Sequence, residues 1–346
     1  MPDSFRQPSF CYDQYCSQCL TGGIISVIAA LNGAGIYSLL INPIFSSIAL
    51  FIINILHYPQ QMKWSLRISS LKIIFSYSSY QFLFNLINYF GRNLDKLLIG
   101  KYMGMIPLGY YEKSYRLMML PLQNISYAIT PVMHPIFSDF QNDLHKLSSS
   151  YLKVVRLLAF IGLPLSVLLW FTSSEIVLII FGNQWVNSIP VFQILSLSVG
   201  IQIILSTSGS IFQAANATKL LFVSGLISTI LNVTGILIGI FIFNSLIAIA
   251  WCIVISFTIN FIQSYLLMYK FTLKTNFLIF LKQFVSPIIL SLIIFLVLLY
   301  VSHIVGSQNI IESSLIKGSV FVIIYGLYLQ ITKEYNIYSK LKNKLK

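Results

Sequence analysis

The sequence predicts an all-α polytopic membrane protein of about ten transmembrane helices, and three observations carry that prediction. Of 346 residues, 57% are hydrophobic and 9% charged, where soluble domains carry about 25% charged residues. Apolar runs close to the roughly 20 residues that cross hydrocarbon follow one another along most of the chain. The connections between them are short, the longest about 15 to 20 residues, so no soluble domain of any size fits between them.

In chain order the predicted spans are 22–39, 41–57, 73–100, 108–137, 157–172, 189–212, 220–243, 246–268, 284–303 and 315–331. The first two are short and joined tightly at Asn42-Pro43, and the third and fourth are long enough to tilt or project. Pro121, Pro131, Pro135, Pro164 and Pro287 fall inside spans, where a proline removes one backbone hydrogen bond and commonly bends the helix. Gly235 and Gly239 form a small-xxx-small pair that permits close helix packing, and Gly33 and Gly35 are read the same way. Residues 1–21 are polar and aromatic, without the basic-then-apolar order of a signal peptide, and form an atypical N-terminal tail.

The net charge of +13 is laid out by topology. Lys63, Arg67 and Lys72 follow span two; Lys146, Lys153 and Arg156 follow span four; Lys219 follows span six. Lys270, Lys274 and Lys282 follow span eight, and the tail 333–346 carries Lys333, Lys340, Lys342, Lys344 and Lys346. These make 15 of the 22 basic residues, all on alternating connections, with Arg6 on the same side. On the other face 182–188 and 244–245 hold none, and Lys317 stands at the edge of the last connection. The positive-inside rule then puts both termini in the cytoplasm with an even number of spans. It also accounts for most of the basic excess, so nucleic acid is not an expected partner.

Five cations escape the rule: Arg92, Lys96, Lys101, Lys113 and Arg116. Asn88, Arg92, Asp95 and Lys96 recur at spacings of three and four and share one helix face. Glu112, Lys113 and Arg116 repeat the pattern on the next span, after a turn expected at Pro107–Gly109. One reading is a set of ion pairs, Arg92–Asp95 and Glu112–Arg116, that neutralise one another and snorkel. Against it, five cations face two acids, and unpaired cations at membrane depth suit an anionic ligand such as a phosphate. The candidate substrate-binding residues are therefore Asn88, Arg92, Asp95, Lys96, Glu112, Lys113 and Arg116.

Catalytic and metal signatures are not apparent. His57, His134, His145 and His303 are separated from one another and from carboxylate partners. Cys11, Cys16 and Cys19 lack a nearby fourth ligand, so no metal site and no cofactor is expected.

N-x-x-x-R-N-L-D-K-L-L-I-G-K-Y-x-G over Asn88–Gly104, then P-L-G-Y-Y over Pro107–Tyr111, resembles the seventh helix and following turn of Wzx-like polysaccharide flippases. These belong to the polysaccharide transporter branch of the multidrug/oligosaccharidyl-lipid/polysaccharide exporter superfamily. P-V-M-H-P-I-F-S at Pro131–Ser138, F-G-N-Q-W at Phe181–Trp185 and A-L-N-G-A-G-I-Y-S-L at Ala30–Leu39 support the match, which runs from about Gly22 onward.

The resemblance implies two six-helix bundles around a cavity, often with two extra helices. It also implies alternating-access transport of an undecaprenyl-diphosphate-linked oligosaccharide across the bacterial inner membrane, without catalysis, coupled to a proton or sodium ion left open. On this reading 22–72 is a remnant of the first bundle, 73–268 the complete second bundle, and 269–332 the extra pair. Only two spans precede the seventh-helix motif, so the chain is expected to be truncated at its N-terminus. The bilayer and other polysaccharide assembly proteins are the expected partners beside the lipid-linked substrate. The competing expectations are a drug or cation exporter of the same superfamily, a membrane-embedded polysaccharide polymerase or ligase, and a non-functional truncated remnant.

Overall fold

The computed structural model describes residues 23–33, 35–57, 68–138, 143–305 and 309–332, and it divides into two compact units, Met1–Leu71 and Lys72–Lys346. Cys11, Cys16 and Cys19, Arg6, Lys63 and Arg67, and the basic tail from Lys333 lie outside the described residues.

In the first unit, helix α1 spans 23–31, a 3-10 turn covers Gly35–Tyr37, and α2 runs Ser38–His57. The break expected at Asn42-Pro43 instead falls at the glycines. Gly33 (φ 86°) and Gly35 (φ 52°) occupy the left-handed region that a side chain disfavours. Among the described residues no atom beyond their chain neighbours lies within 4 Å of where their Cβ atoms would stand, so these glycines turn the chain and no described helix packs on them. Pro43 is tolerated early inside α2, and Ser47 Oγ donates to its carbonyl at 2.7 Å.

The second unit starts within α3 (Ile68–Tyr102) and continues through α4 (Met105–Ser138). At 35 and 34 residues these helices are each about 50 Å long. The turn between them lies at Gly104 (φ 95°), three residues before the expected Pro107. Pro107 sits in the first turn of α4, where its missing N–H has no helical partner to lose. Asp143 caps α5 (Leu144–Phe171) by accepting from Lys146 N at 3.0 Å. This helix starts well before residue 157, so Lys146, Lys153 and Arg156 lie on it and not in a loop. After Thr172 come α6 (Ser173–Phe181), a 3-10 stretch Asn183–Ser188, then α7 (Ile189–Ser196), α8 (Val199–Leu205) and α9 (Ser208–Ala214).

The single span expected over 189–212 is therefore broken, with a 51° bend between Asn183–Ser196 and Val199–Ala214. Ser196, Ser198 and Thr207 donate to carbonyls three residues back, at 2.7, 2.7 and 2.8 Å. Such hydroxyls compete with the helical ladder and mark both breaks. The chain closes with α10 (Thr218–Phe241), α11 (Leu246–Leu267) and its π-helical extension Met268–Thr272, α12 (Phe277–Lys282), α13 (Val285–Val305) and α14 (Ile310–Thr332).

Among the described residues, five helices are long and apolar enough to cross a membrane, or six if the bent pair is one span. They are Leu144–Phe171, Thr218–Phe241, Leu246–Thr272, Phe277–Ile304 and Ile310–Thr332. α3 and α4 have the length, but polar and charged side chains interrupt their apolar runs.

Close packing positions the site. The backbones of α5 and α8 cross where a Cβ on Gly162 would stand 2.9 Å from Gly200 Cα. Gly235 and Gly239 press α10 onto α11, with Ser256 Oγ 2.8 Å and Ile249 Cγ1 2.6 Å from their ideal Cβ positions. A buried hydroxyl chain ties α5 to α11, Tyr151 and Tyr265 sharing a hydrogen bond of 2.7 Å while Tyr265 donates to Ile204 O at 2.9 Å. Leu290, Ile294, Leu298 and Leu329 seat α13 and α14 around Phe160.

Candidate functional site

α3 and α4 form an antiparallel hairpin, because the left-handed Gly104 reverses the chain: Gly100 meets Leu108 near the turn, and Asp95 and Lys96 meet Tyr111 and Glu112 farther from it. Tyr111 OH donates to Asp95 Oδ2 at 2.7 Å, and Lys96 N donates to Oδ1 at 2.7 Å. One residue along, Lys96 Nζ reaches Glu112 Oε1 at 3.0 Å on a half-exposed surface. Glu112 is thus paired across the hairpin, not along α4 with Arg116. Alongside runs α10, pointing the same way as α3: Gly91 abuts Thr229, and the Tyr102 and Phe241 rings meet at 4.8 Å. Gly225 lets the Phe84 ring approach to 2.7 Å of its ideal Cβ position, which brings the middle of α3 onto α10.

These approaches leave a cavity of about 540 Å³ between α3, α4, α8, α9, α10 and α11, within the usual range of ligand sites. Its polar lining is mostly amide and hydroxyl: Asn85 and Asn93 from α3, Gln202 from α8, Asn232 from α10, Asn260 from α11, and serines of α9, α10 and α11. Tyr89, Tyr111 and Tyr115 add aromatic surface, and Asp95 is the carboxylate among the described lining residues. Ser224 and Ser264 hydroxyls pair at 2.6 Å, and Ser264 Oγ donates to Asn260 Oδ1 at 3.2 Å. Asn232 Oδ1 is buried and has no hydrogen-bond partner among the described residues.

Of the residues singled out from sequence, Asp95 lines this cavity, while Lys96, Glu112, Lys113 and Arg116 are not among the lining residues. Lys113 stands over the Phe181 and Trp185 rings, 4.9 and 5.1 Å from their centroids. Arg116 is exposed, and the side chains of Asn88 and Arg92 lie outside the described residues. The cations therefore flank the wall residues in sequence: Lys96 follows Asp95, and Arg116 follows Tyr115. Sequence reasoning missed the amide and hydroxyl wall. Its signal was available, since Ser224, Ser228 and Asn232 recur every four residues on an apolar helix, as do Asn260 and Ser264.

A second buried polar group lies elsewhere in this unit. Glu175 Oε1 accepts from Lys317 Nζ and from Ser313 Oγ at 2.7 Å, while Oε2 accepts from Ser174 Oγ at 2.7 Å. Lys317 also donates to Phe171 O at 2.9 Å, fixing α14 against the α5–α6 corner. Among the described residues no three His, Cys, Asp or Glu side chains are grouped to hold a metal.

With this geometry in hand, the chain can be set beside known proteins. The profile of a family described as "Polysaccharide biosynthesis protein" matches residues 4–190, beginning inside the tail that composition set apart. The teichuronic acid biosynthesis protein TuaB of Bacillus subtilis (strain 168) is 28% identical over 243 residues, covering 67% of this chain and 49% of TuaB. The lipopolysaccharide biosynthesis protein WzxC of Escherichia coli (strain K12) is 28% identical over 45% of this chain and 32% of its own length. The succinoglycan biosynthesis transport protein ExoT of Rhizobium meliloti (strain 1021) is 26% identical over 52% of this chain and 36% of its own. The chain spans about half the length, or less, of these relatives. Among solved structures, the lipid II flippase MurJ in an inward closed conformation aligns with 91% of this chain and 66% of its own. The TM-score is 0.66 at 18% sequence identity, which is a likeness of fold.

Proposed function

The chain belongs to the polysaccharide biosynthesis protein family, and on that premise we propose that it moves an undecaprenyl-diphosphate-linked oligosaccharide across the bacterial inner membrane by alternating access. The substrate class is the repeat unit of an O-antigen, capsule or exopolysaccharide, and the chain acts as a transporter, not an enzyme. The observation that carries this reading is the cavity of about 540 Å³ inside a helical bundle, walled by amides and hydroxyls, whose wall residues Asp95 and Tyr115 are followed in sequence by Lys96 and Arg116. Amides and hydroxyls match the hydroxyl edges of sugars. Arg92, Lys96, Lys113 and Arg116 suit a pyrophosphate, which guanidinium groups bind through paired N–H donors, with Asp95 and Glu112 joined across the same hairpin to Tyr111 and Lys96 and with Asn88 as a further candidate on α3. Relatives named for succinoglycan biosynthesis transport and for lipopolysaccharide biosynthesis support the assignment. On the alternation of basic connections, both termini face the cytoplasm.

The test is transport of lipid-linked repeat units in cells lacking their own flippase and expressing the full chain, with Arg92→Ala and Arg116→Ala alongside. Restored surface polysaccharide with the unmodified chain, and at least a tenfold loss with either variant, is the expected result. Restoration by both variants at the unmodified level removes the cationic hairpin from the mechanism.

A further inference from the structure

We infer that the α10–α11 wall of the cavity, centred on Asn232, reads the glycan of the substrate; this deepens the transport reading above and rests on it. Asn232 lines the cavity, and its Oδ1 is buried with no hydrogen-bond partner among the described residues. An amide oxygen held this way costs free energy until a donor reaches it, and the residue that carries it stands in the cavity wall.

The surroundings define that donor. Gln202 and Asn260 line the same space, and the Ser264 and Ser224 hydroxyls brace the Asn260 side. Tyr89 and Tyr115 add ring faces. A sugar ring presents both surfaces such a lining needs: a rim of hydroxyl or acetamido N–H donors and a flat apolar C–H face. A lipid tail would leave the amides unpaired, and a bare pyrophosphate has only acceptors to offer an amide oxygen. The α10–α11 pair, pressed together at Gly235 and Gly239, fixes the two helices that carry Asn232 and Asn260, so the wall discriminates by the position of a donor and not merely by polarity.

The experiment measures binding of two probes to the purified full chain in detergent: undecaprenyl pyrophosphate, and the same lipid bearing an N-acetylglucosaminyl-galactose disaccharide. The unmodified chain is expected to prefer the sugar-bearing lipid. Asn232→Leu, close in volume but without an acceptor, is expected to cut that preference about tenfold, the size of one well-placed hydrogen bond. Asn232→Asp, which keeps an acceptor oxygen at the same place, is expected to recover most of it. An undiminished preference in Asn232→Leu overturns the inference. So does an equal loss of both probes that Asn232→Asp does not rescue, because that marks a structural role. Failure of the unmodified chain to bind either probe overturns the transport reading itself, and with it this one.

Discussion

Asn232 and Glu175 are both polar groups inside one helical unit, and they are finished differently. Glu175 is closed: Lys317, Ser313 and Ser174 meet its two oxygens, and its side chain and that of Lys317 are 6% and 9% exposed. Asn232 is left open: it stands in the wall of a cavity, and its buried oxygen lacks a partner among the described residues. The first arrangement is what buried charge requires if helices are to be held, since a lone ion in a low-dielectric interior is severely penalised. The second is what a binding wall requires, since a group already satisfied has nothing left to offer a ligand. The contrast separates a bolt from a reader within one fold.

The largest test breaks the bolt. Lys317→Met strands Glu175 among apolar groups and is expected to lower stability by about 3–5 kcal/mol, followed by chemical unfolding in detergent. Adding Glu175→Gln removes the stranded charge and is expected to recover most of that loss. A double variant as unstable as the single one would mean that packing, not charge, fixes α14.

Next in size is Tyr111→Phe, which removes the 2.7 Å donor to Asp95 at the mouth of the hairpin. A hydrogen bond to a charged group is worth about 1.5–3 kcal/mol, so a loss within that range is expected in the same unfolding measurement. Asn232→Leu is expected to change stability by under about 1 kcal/mol, because it replaces an unpartnered polar group by an apolar one. A loss as large as that of Lys317→Met would place Asn232 with Glu175 and dissolve the comparison.

The smallest effect concerns Asp143, an exposed carboxylate that caps α5. The backbone N–H of Lys146 holds its carboxyl below the ordinary value of 3.8, with the Lys146 side chain adding to the effect. A depressed folded value means the stabilisation is whole above pH 3.8 and is lost as pH falls through the lower, folded value. Protection against hydrogen exchange in the first turn of α5, relative to the intrinsic rate at each pH, is expected to fall on acidification below that point, and Asp143→Asn is expected to remove the dependence.

Much of the fold was readable residue by residue. Thr172 closes α5 where the apolar run ends, α10 and α11 start within two residues of expectation, and Gly235 and Gly239 press their helices together. The misreadings share a cause. Span 189–212 looks continuous to a hydropathy window, yet Ser196, Ser198 and Thr207 bend it by competing locally for carbonyls. Pro107–Gly109 looks like a turn, yet Gly104 takes the left-handed conformation and Pro107 is welcome at a helix start. Hydropathy averages over a window, whereas a break is decided by one or two backbone groups.

The candidate site was less readable. Charge is conspicuous in an apolar chain, so the α3–α4 cations drew notice, while the cavity is walled largely by uncharged amides and hydroxyls that hydropathy scarcely registers. Lys317 stood at the edge of a connection, and its partner Glu175 lies 142 residues away.

By itself the sequence determined a helical membrane protein, the ends of most of its later helices, and the hairpin where charge gathers, because apolar run length and helical periodicity are properties of neighbouring residues. Only the tertiary structure decided which polar groups share a cavity, which carboxylate is bolted shut, and which amide is left without a partner. Those outcomes depend on how each helix is rotated against the next, and rotation is set by close contacts such as Gly162 on Gly200 and Phe84 on Gly225, far apart along the chain.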